Sequence, residues 1–304
     1  MKTILVTGSN GLLGQKITEQ INHSKQFRLI ATGKGPNRFP ESGNYEYVEM
    51  DILDAENVKE VVERYKPDAI INAAAMTNVD TCQEQQVKAY ELNVKAVKFL
   101  VALCENHQIQ LVQLSTDFIF DGAAGPYDEL ATPQPLSYYG HTKLEAEQLV
   151  QQAKCPWTII RTVLVYGIVS DMSRSNIVLW AKTALEKGVA LNVVNDQWRT
   201  PTLAEDLATG CLLAVEKNAQ GVYHISGKDM MSIAEIVRKV AVFFGLDASN
   251  INEVSGGHLQ QPAMRPARTG FIIEKARRDL GYEPHSFEEG MAILNSQLLP
   301  YTYK

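Results

Sequence analysis

The sequence predicts an α/β protein: a doubly wound parallel sheet with helices on both faces and a small C-terminal lobe. Three observations carry that expectation. Apolar strands alternate with helical stretches through the first half, the first strand breaks straight into a glycine turn, and the alternation loosens after Tyr166. With 304 residues the chain can bury one large core, or a core with a lobe attached.

Strands are expected at Ile4–Thr7, Arg28–Thr32, Tyr45–Met50, Ala69–Asn72, Gln110–Ser115 and Thr158–Arg161. Helices are expected between them at Leu12–Asn22, Ala55–Tyr65, Thr81–Asn106 and Tyr139–Gln152. Such βαβ units make parallel sheets, whose ligands bind at the carboxyl ends of the strands. Beyond Tyr166 come a helix at Ser175–Lys187, a strand at Ala190–Val194 and a helix at Leu203–Lys217. A strand at Val222–Ile225, a helix at Ser232–Phe244 and a loop-rich stretch from Gly245 to Gly270 follow.

The first element is the most telling. Lys2–Thr7 runs into Gly8-Ser9-Asn10-Gly11-Leu12-Leu13-Gly14 and then a helical pattern. Gly8 allows the tight turn, Gly11 lets a pyrophosphate approach the backbone, and Gly14 lets helix and strand pack closely. The helix N-terminus adds N–H groups and a partial positive charge. The spacing is G-x-x-G-x-x-G, and in its strand–turn–helix setting it points to a dinucleotide. Residues 1–166 are therefore read as the NAD(P)-binding domain, with 190–225 returning to it, and 167–189 with 226–304 mainly as the substrate-binding lobe.

The second strand bears on the choice of dinucleotide. An acid at its end would hold the adenosine ribose hydroxyls and favour NAD. Here it ends Ala31-Thr32-Gly33-Lys34, with Arg38 nearby and no acid until Glu41. NADP(H) is expected to be preferred and NAD(H) to be a second choice, with Lys34 or Arg38 near the 2′-phosphate. The alternative is that both are ordinary solvated cations.

Tyr139 and Lys143 stand four apart at the start of a helix and project from one face. An ammonium beside a phenol lowers its proton affinity, so the phenol can protonate an alkoxide formed when hydride reaches a carbonyl. The fifth strand ends Leu114-Ser115-Thr116-Asp117, and a hydroxyl at its tip can hydrogen-bond the same carbonyl. Thr116 is read as catalytic and Ser115 as capping or structural. His141 is expected on the surface, Glu145 and Glu147 on a solvated helix face, and His224 as a hydrogen-bonded strand histidine.

The net charge of −6, without a basic stripe, argues against nucleic acid as a partner. Cys82, Cys104, Cys155 and Cys211 form no C-x-x-C pair, which suits reduced, buried thiols, and no cluster has metal-ligand spacing. No apolar run reaches membrane-spanning length, and Ile4–Val6 is too short for a signal-peptide core. The expectation is a soluble, cytoplasmic protein with no membrane partner.

Together these residues resemble the short-chain dehydrogenase/reductase superfamily, in its extended sugar-nucleotide branch, and within it the dTDP-4-dehydrorhamnose reductase family. The likeness runs through nearly the whole chain. It includes Thr7–Gly14, Asn72-Ala73-Ala74-Ala75, Leu92-Asn93-Val94, Ser115-Thr116-Asp117-Phe118, Tyr139-Gly140-His141-Thr142-Lys143, Val165-Tyr166-Gly167, Thr200-Pro201-Thr202 and Arg265-Pro266. The resemblance implies a Rossmann fold and a catalytic set of Thr116, Tyr139 and Lys143, with Lys143 also holding the nicotinamide ribose. It implies that Gly11, Leu12 and Leu13 line the pyrophosphate, that Asp51 and Ile52 meet the adenine, and that Ala74 and Ala75 run along the cofactor. Gly8, Asn10, Gly14, Ala73 and Leu114 complete that surface. Thr116 and Asp117 would face the sugar, and Arg265 would pair with the nucleotide diphosphate, a task suited to a planar guanidinium.

The implied reaction is NADPH-dependent reduction of the 4-keto group of a nucleotide-linked deoxysugar, foremost dTDP-4-dehydro-L-rhamnose to dTDP-L-rhamnose, a step of cell-surface polysaccharide supply. The family relation allows a homodimer, though no apolar interface stripe stands out. Leu164 replaces a tryptophan frequent in relatives, Met76 a histidine and Arg199 a glycine. Two of these changes fall in the sugar pocket and bear on which deoxysugar is taken. A related dehydratase would carry glutamate where Phe118 stands. An epimerase would return the hydride to its substrate, and a regulatory subunit of methionine adenosyltransferase would turn nothing over.

Overall fold

The computed structural model describes residues 1–172, 175–258 and 261–302. The first half contains β1 (Thr3–Thr7), α1 (Leu12–Ser24), β2 (Arg28–Gly33), β3 (Tyr45–Glu49), α2 (Ala55–Tyr65) and β4 (Ala69–Asn72). Then come α3 (Val79–Glu84), α4 (Gln86–Tyr90), a π-helical turn at Glu91–Lys95, α5 (Ala96–His107), β5 (Gln110–Thr116), α6 (Tyr138–Gln151) and β6 (Trp157–Thr162). The second half holds β7 (Val165–Tyr166), α7 (Ile177–Glu186), β8 (Leu191–Val194), β9 (Trp198–Arg199), β10 (Thr202–Leu203), α8 (Ala204–Glu216) and β11 (Gly221–His224). It closes with β12 (Met231–Ser232), α9 (Ile233–Phe244), β13 (Ile251–Val254), α10 (Glu274–Leu280) and α11 (Phe287–Thr302).

Seven strands form one parallel sheet in the order β11-β6-β5-β4-β1-β2-β3. The order in which strands are added reverses between β1 and β4, the crevice where ligands of such sheets sit. The alternation of side chains along each strand builds two cores. Ile4, Val6, Ala69, Ile71, Val112 and Ile160 pack on the α1 and α8 side. Leu5, Ile70, Leu111 and Ile159 point the other way, among residues of α2, α5 and α6. A third cluster, from α7, β8, α9 and α11, fills the lobe.

Two expectations need correction. The strand near 190–194 does not rejoin the central sheet: β8 pairs in parallel with β13, inside the stretch read as loop. Leu191 and Val193 are buried in the lobe cluster, so their apolar face is satisfied there. Only α8 and β11 return to the sheet. The single helix expected at Thr81–Asn106 is broken at Gln85, whose φ of −116° and ψ of 55° are not helical, and again by the π turn. Within that turn Asn93 is buried, donating to Met76 O at 3.0 Å and accepting from Met76 N at 2.9 Å. The turn aims this amide at the β4–α3 loop. Among the described residues no helix is long and apolar enough to cross a membrane.

Candidate active site

The glycine turn lies where expected, at the carboxyl end of β1. Gly8 has φ +68°, and α1 begins at Gly11 without a side-chain cap, leaving its first N–H groups facing the crevice. A Cβ on Gly14 would stand 2.4 Å from Ser9 Cα and 2.5 Å from Gly8 O, so only glycine allows this helix so near the turn. Asn10 fastens the loop after β2: its Oδ1 accepts from Arg38 N at 2.9 Å, and its Nδ2 donates to Pro36 O and Tyr47 Oη at 3.0 Å.

From this turn a cavity of about 940 Å³ runs along the strand ends to Arg265. Every site residue expected from the sequence lines it. On the turn side are Gly8, Asn10, Gly11, Leu12, Leu13, Gly14, Lys34, Arg38, Asp51, Ile52, Ala73, Ala74 and Ala75. On the far side are Leu114, Thr116, Asp117, Tyr139, Lys143 and Arg265. Met50, Leu53, Asn176 and Leu207 also face it and were not singled out in the sequence, because nothing in their local pattern separates them from core or loop.

Lys34 is exposed and ion-paired, its ammonium 2.8 Å from Asp51 Oδ2. The bond to Asp51 raises the lysine pKa, and Lys34 in turn holds the Asp51 carboxyl below its ordinary range. Arg38 Nη1 lies 3.8 Å from Asp171 Oδ2. Both cations flank the end of the cavity beside β2 and β3.

Tyr139 reaches Thr116 because α6 presses on the strand-tip turn. Ser137 caps that helix, accepting from Gly140 N at 3.2 Å. A Cβ on Gly140 would stand 2.2 Å from Phe118 O, so glycine permits the approach. Burial pushes the Tyr139 phenol well above its ordinary pKa; hydrogen bonding to Thr116 pulls it down, and Asp117 pushes it up. Burial also draws Lys143 down to about 8, against the pull of Glu147. The Lys143 ammonium donates to Leu114 O at 2.6 Å. The expected lowering of the phenol by Lys143 does not occur, and loss of solvation dominates at both residues.

Two further readings change. Ser115 makes no cap; its Oγ is buried without a hydrogen-bond partner among the described residues and faces the cavity. Glu147 is not solvated but fully buried, bonded to Arg161 through Oε1···Nε at 3.0 Å and Oε2···Nη2 at 2.7 Å. Arg265 stands at the cavity edge in a bidentate pair with Asp80, at 2.7 and 3.2 Å. His224 is buried, as expected, 3.1 Å from Tyr127 O and stacked on Phe271. First-turn N–H groups of α1 without a side-chain cap, the unpartnered Ser115 hydroxyl and a long trough with cations along it fit a dinucleotide.

Residues 1–299 match the family described as the RmlD substrate binding domain. The probable low-salt glycan biosynthesis reductase of Haloferax volcanii is 29% identical over 299 residues, covering 98% of both chains. The methionine adenosyltransferase 2 subunit beta of Xenopus tropicalis is 30% identical over 256 residues, covering 83% of this chain and 75% of that one. A crystal structure of dTDP-4-dehydrorhamnose reductase from Bacillus anthracis in complex with NADP has a TM-score of 0.84 at 25% identity, covering 97% of this chain and 99% of that one. Sequence motifs, sheet order and the cavity at the β1–β4 crevice therefore agree with these likenesses: the chain belongs to the RmlD substrate binding domain family of the extended short-chain dehydrogenase/reductases.

Proposed function

We propose that this protein is a sugar-nucleotide reductase that uses NADPH to reduce the 4-keto carbon of a nucleotide-linked deoxysugar, foremost dTDP-4-dehydro-L-rhamnose. The observation that carries this reading is the meeting of Thr116, Tyr139 and Lys143 in the same cavity as the glycine turn. The dinucleotide supplies the hydride. The residues of the chain orient the carbonyl, protonate its oxygen and exclude water.

Thr116 sits at the tip of β5, where its hydroxyl, which donates to Asp117 at 3.1 Å, can turn to donate to the carbonyl oxygen when substrate is bound. Tyr139 stays protonated through neutral pH because burial disfavours its phenolate. A phenol held in this way gives up its proton only to a stronger base, and an alkoxide is one. Lys143 lines the same cavity, its ammonium donating to Leu114 O at 2.6 Å, and can bond the ribose hydroxyls of a bound dinucleotide. Phe118 closes on Tyr139 edge-to-face at 5.8 Å and offers no carboxylate, which speaks against dehydration. At the cavity edge Arg265 can exchange Asp80 for a diphosphate, keeping its fork geometry.

The test is NADPH oxidation against a panel of nucleotide 4-keto-deoxysugars, repeated with NADH. The expected results are turnover, a higher kcat/KM for NADPH, and in Tyr139→Phe a loss of about 10²–10⁴-fold with NADPH still bound. Near-normal turnover in Tyr139→Phe would overturn the mechanism. The likeness to a methionine adenosyltransferase subunit supports a second reading, a binding subunit, which requires stable capture of a synthetase and no turnover on the panel.

A further inference from the structure

Arg199 ends β9, and although charged it is only 3% exposed. Nη1 donates to Trp198 O at 2.7 Å and Ala267 O at 3.3 Å, and Nη2 donates to Pro266 O at 2.8 Å. Nε lies 3.4 Å from Asp117 Oδ2. Two of those carbonyls follow directly on Arg265, so one guanidinium grips both the segment carrying Arg265 and the carboxylate next to Thr116.

Asp117 is buried as well. Its Oδ1 accepts from Thr116 Oγ1 at 3.1 Å, and its Oδ2 accepts from the Thr269 hydroxyl. A carboxylate in that place accepts the Thr116 proton and so orients the hydroxyl, whose oxygen also accepts from Phe118 N at 3.3 Å. A neutral carboxyl, by contrast, could donate and reverse the chain. Burial favours the neutral form, and Arg199 opposes it. The charged and titratable groups around Asp117 are Arg199 from β9 and Tyr139 from α6, with Arg265 acting on Arg199 in turn.

We propose that Arg199 is a positioning residue of the reductase site: its buried guanidinium is the countercharge that keeps Asp117 an acceptor for Thr116, and it sets the Pro266–Ala267 segment so that Arg265 meets the substrate diphosphate. This deepens the reductase reading and rests on it. Lysine cannot replace it, because an ammonium cannot span three carbonyls and a carboxylate in one plane.

The two ideas fail separately. A wild-type enzyme without turnover on the whole panel sinks the reductase reading, while the role of Arg199 is also read without turnover, from ¹³C NMR of the Asp117 carboxyl and calorimetric binding of dTDP. In the wild type Asp117 is expected to be ionised at neutral pH; a protonated carboxyl there overturns the proposal. Arg199→Gln is expected to move the Asp117 titration upward, weaken dTDP about tenfold and lower kcat about 10²-fold, with NADPH affinity within about twofold. Arg199→Lys should not rescue it. The double variant Asp117→Asn/Arg199→Gln should exceed Arg199→Gln in kcat by about tenfold, since both charges leave together. Unchanged titration and kinetics in Arg199→Gln, or loss of NADPH binding and of cooperative unfolding, would show a dispensable or merely structural arginine and overturn the inference.

Discussion

Glu147 lies one turn beyond Lys143 on α6, fully buried and forked by Arg161 from β6. It serves two neighbours at once, neutralising the arginine and opposing the fall in the Lys143 pKa. Glu147→Gln is expected to cost about 3–5 kcal/mol, because it leaves a buried guanidinium without its countercharge. Urea unfolding of the variant against the wild type checks this, and a loss below about 1 kcal/mol would contradict it. The sequence suggested a solvated glutamate here because its partner is on another element, and only the packing of α6 against β6 brings the two together. Tyr139 and Lys143 were legible for the opposite reason, since their spacing along one helix fixes their common face. Their electrostatics were not, because burial is a property of the whole surroundings.

Among the elements, the glycine turn and the six strands of the first half follow from local pattern: an apolar run, a breaker, then helical periodicity. The strand β8 was expected, but its pairing was not, because β13 lies some sixty residues on in a stretch that reads as loop. The π turn is equally silent, since Asn93 reads as an ordinary helical residue until Met76 is beside it. The element most sensitive to substitution is the opening of α1. Gly14→Ala would force a methyl to 2.4 Å from Ser9 Cα, against backbone that cannot swing aside. The expected outcome is a loss of about 1–3 kcal/mol in stability and at least a tenfold weaker NADPH complex. Thermal unfolding and fluorescence titration measure both, and an unperturbed complex would mean that the helix can retreat without disturbing the phosphate cradle.

For the molecule as a whole, the buried His224 links the sheet to the segment around Tyr127 and Phe271. Burial and the nearby Arg161 charge hold its pKa well below the ordinary histidine value. The folded protein keeps this ring neutral at a pH where the unfolded chain would protonate it. Its contribution to stability is therefore complete above about pH 6.5 and is lost as the pH falls, by up to about 1.4 kcal/mol per unit. Denaturant unfolding of wild type and His224→Gln between neutral and mildly acidic pH isolates it: the difference between the two should shrink toward acid. A constant difference would assign His224 no linkage.

The walls of the cavity have separate origins. The glycine turn, Lys143 and the Thr116–Tyr139 pair come from the first half of the chain, whereas Leu164, Asn176, Arg199 and Arg265 come from the second. On the proposed function, mutations accumulating in the second set, Arg199 excepted, can retune which sugar is accepted while the glycine turn, Thr116, Tyr139 and Lys143 stay intact. Such a lineage can diversify its products by small, survivable steps, a modularity written into the order in which the polypeptide is threaded.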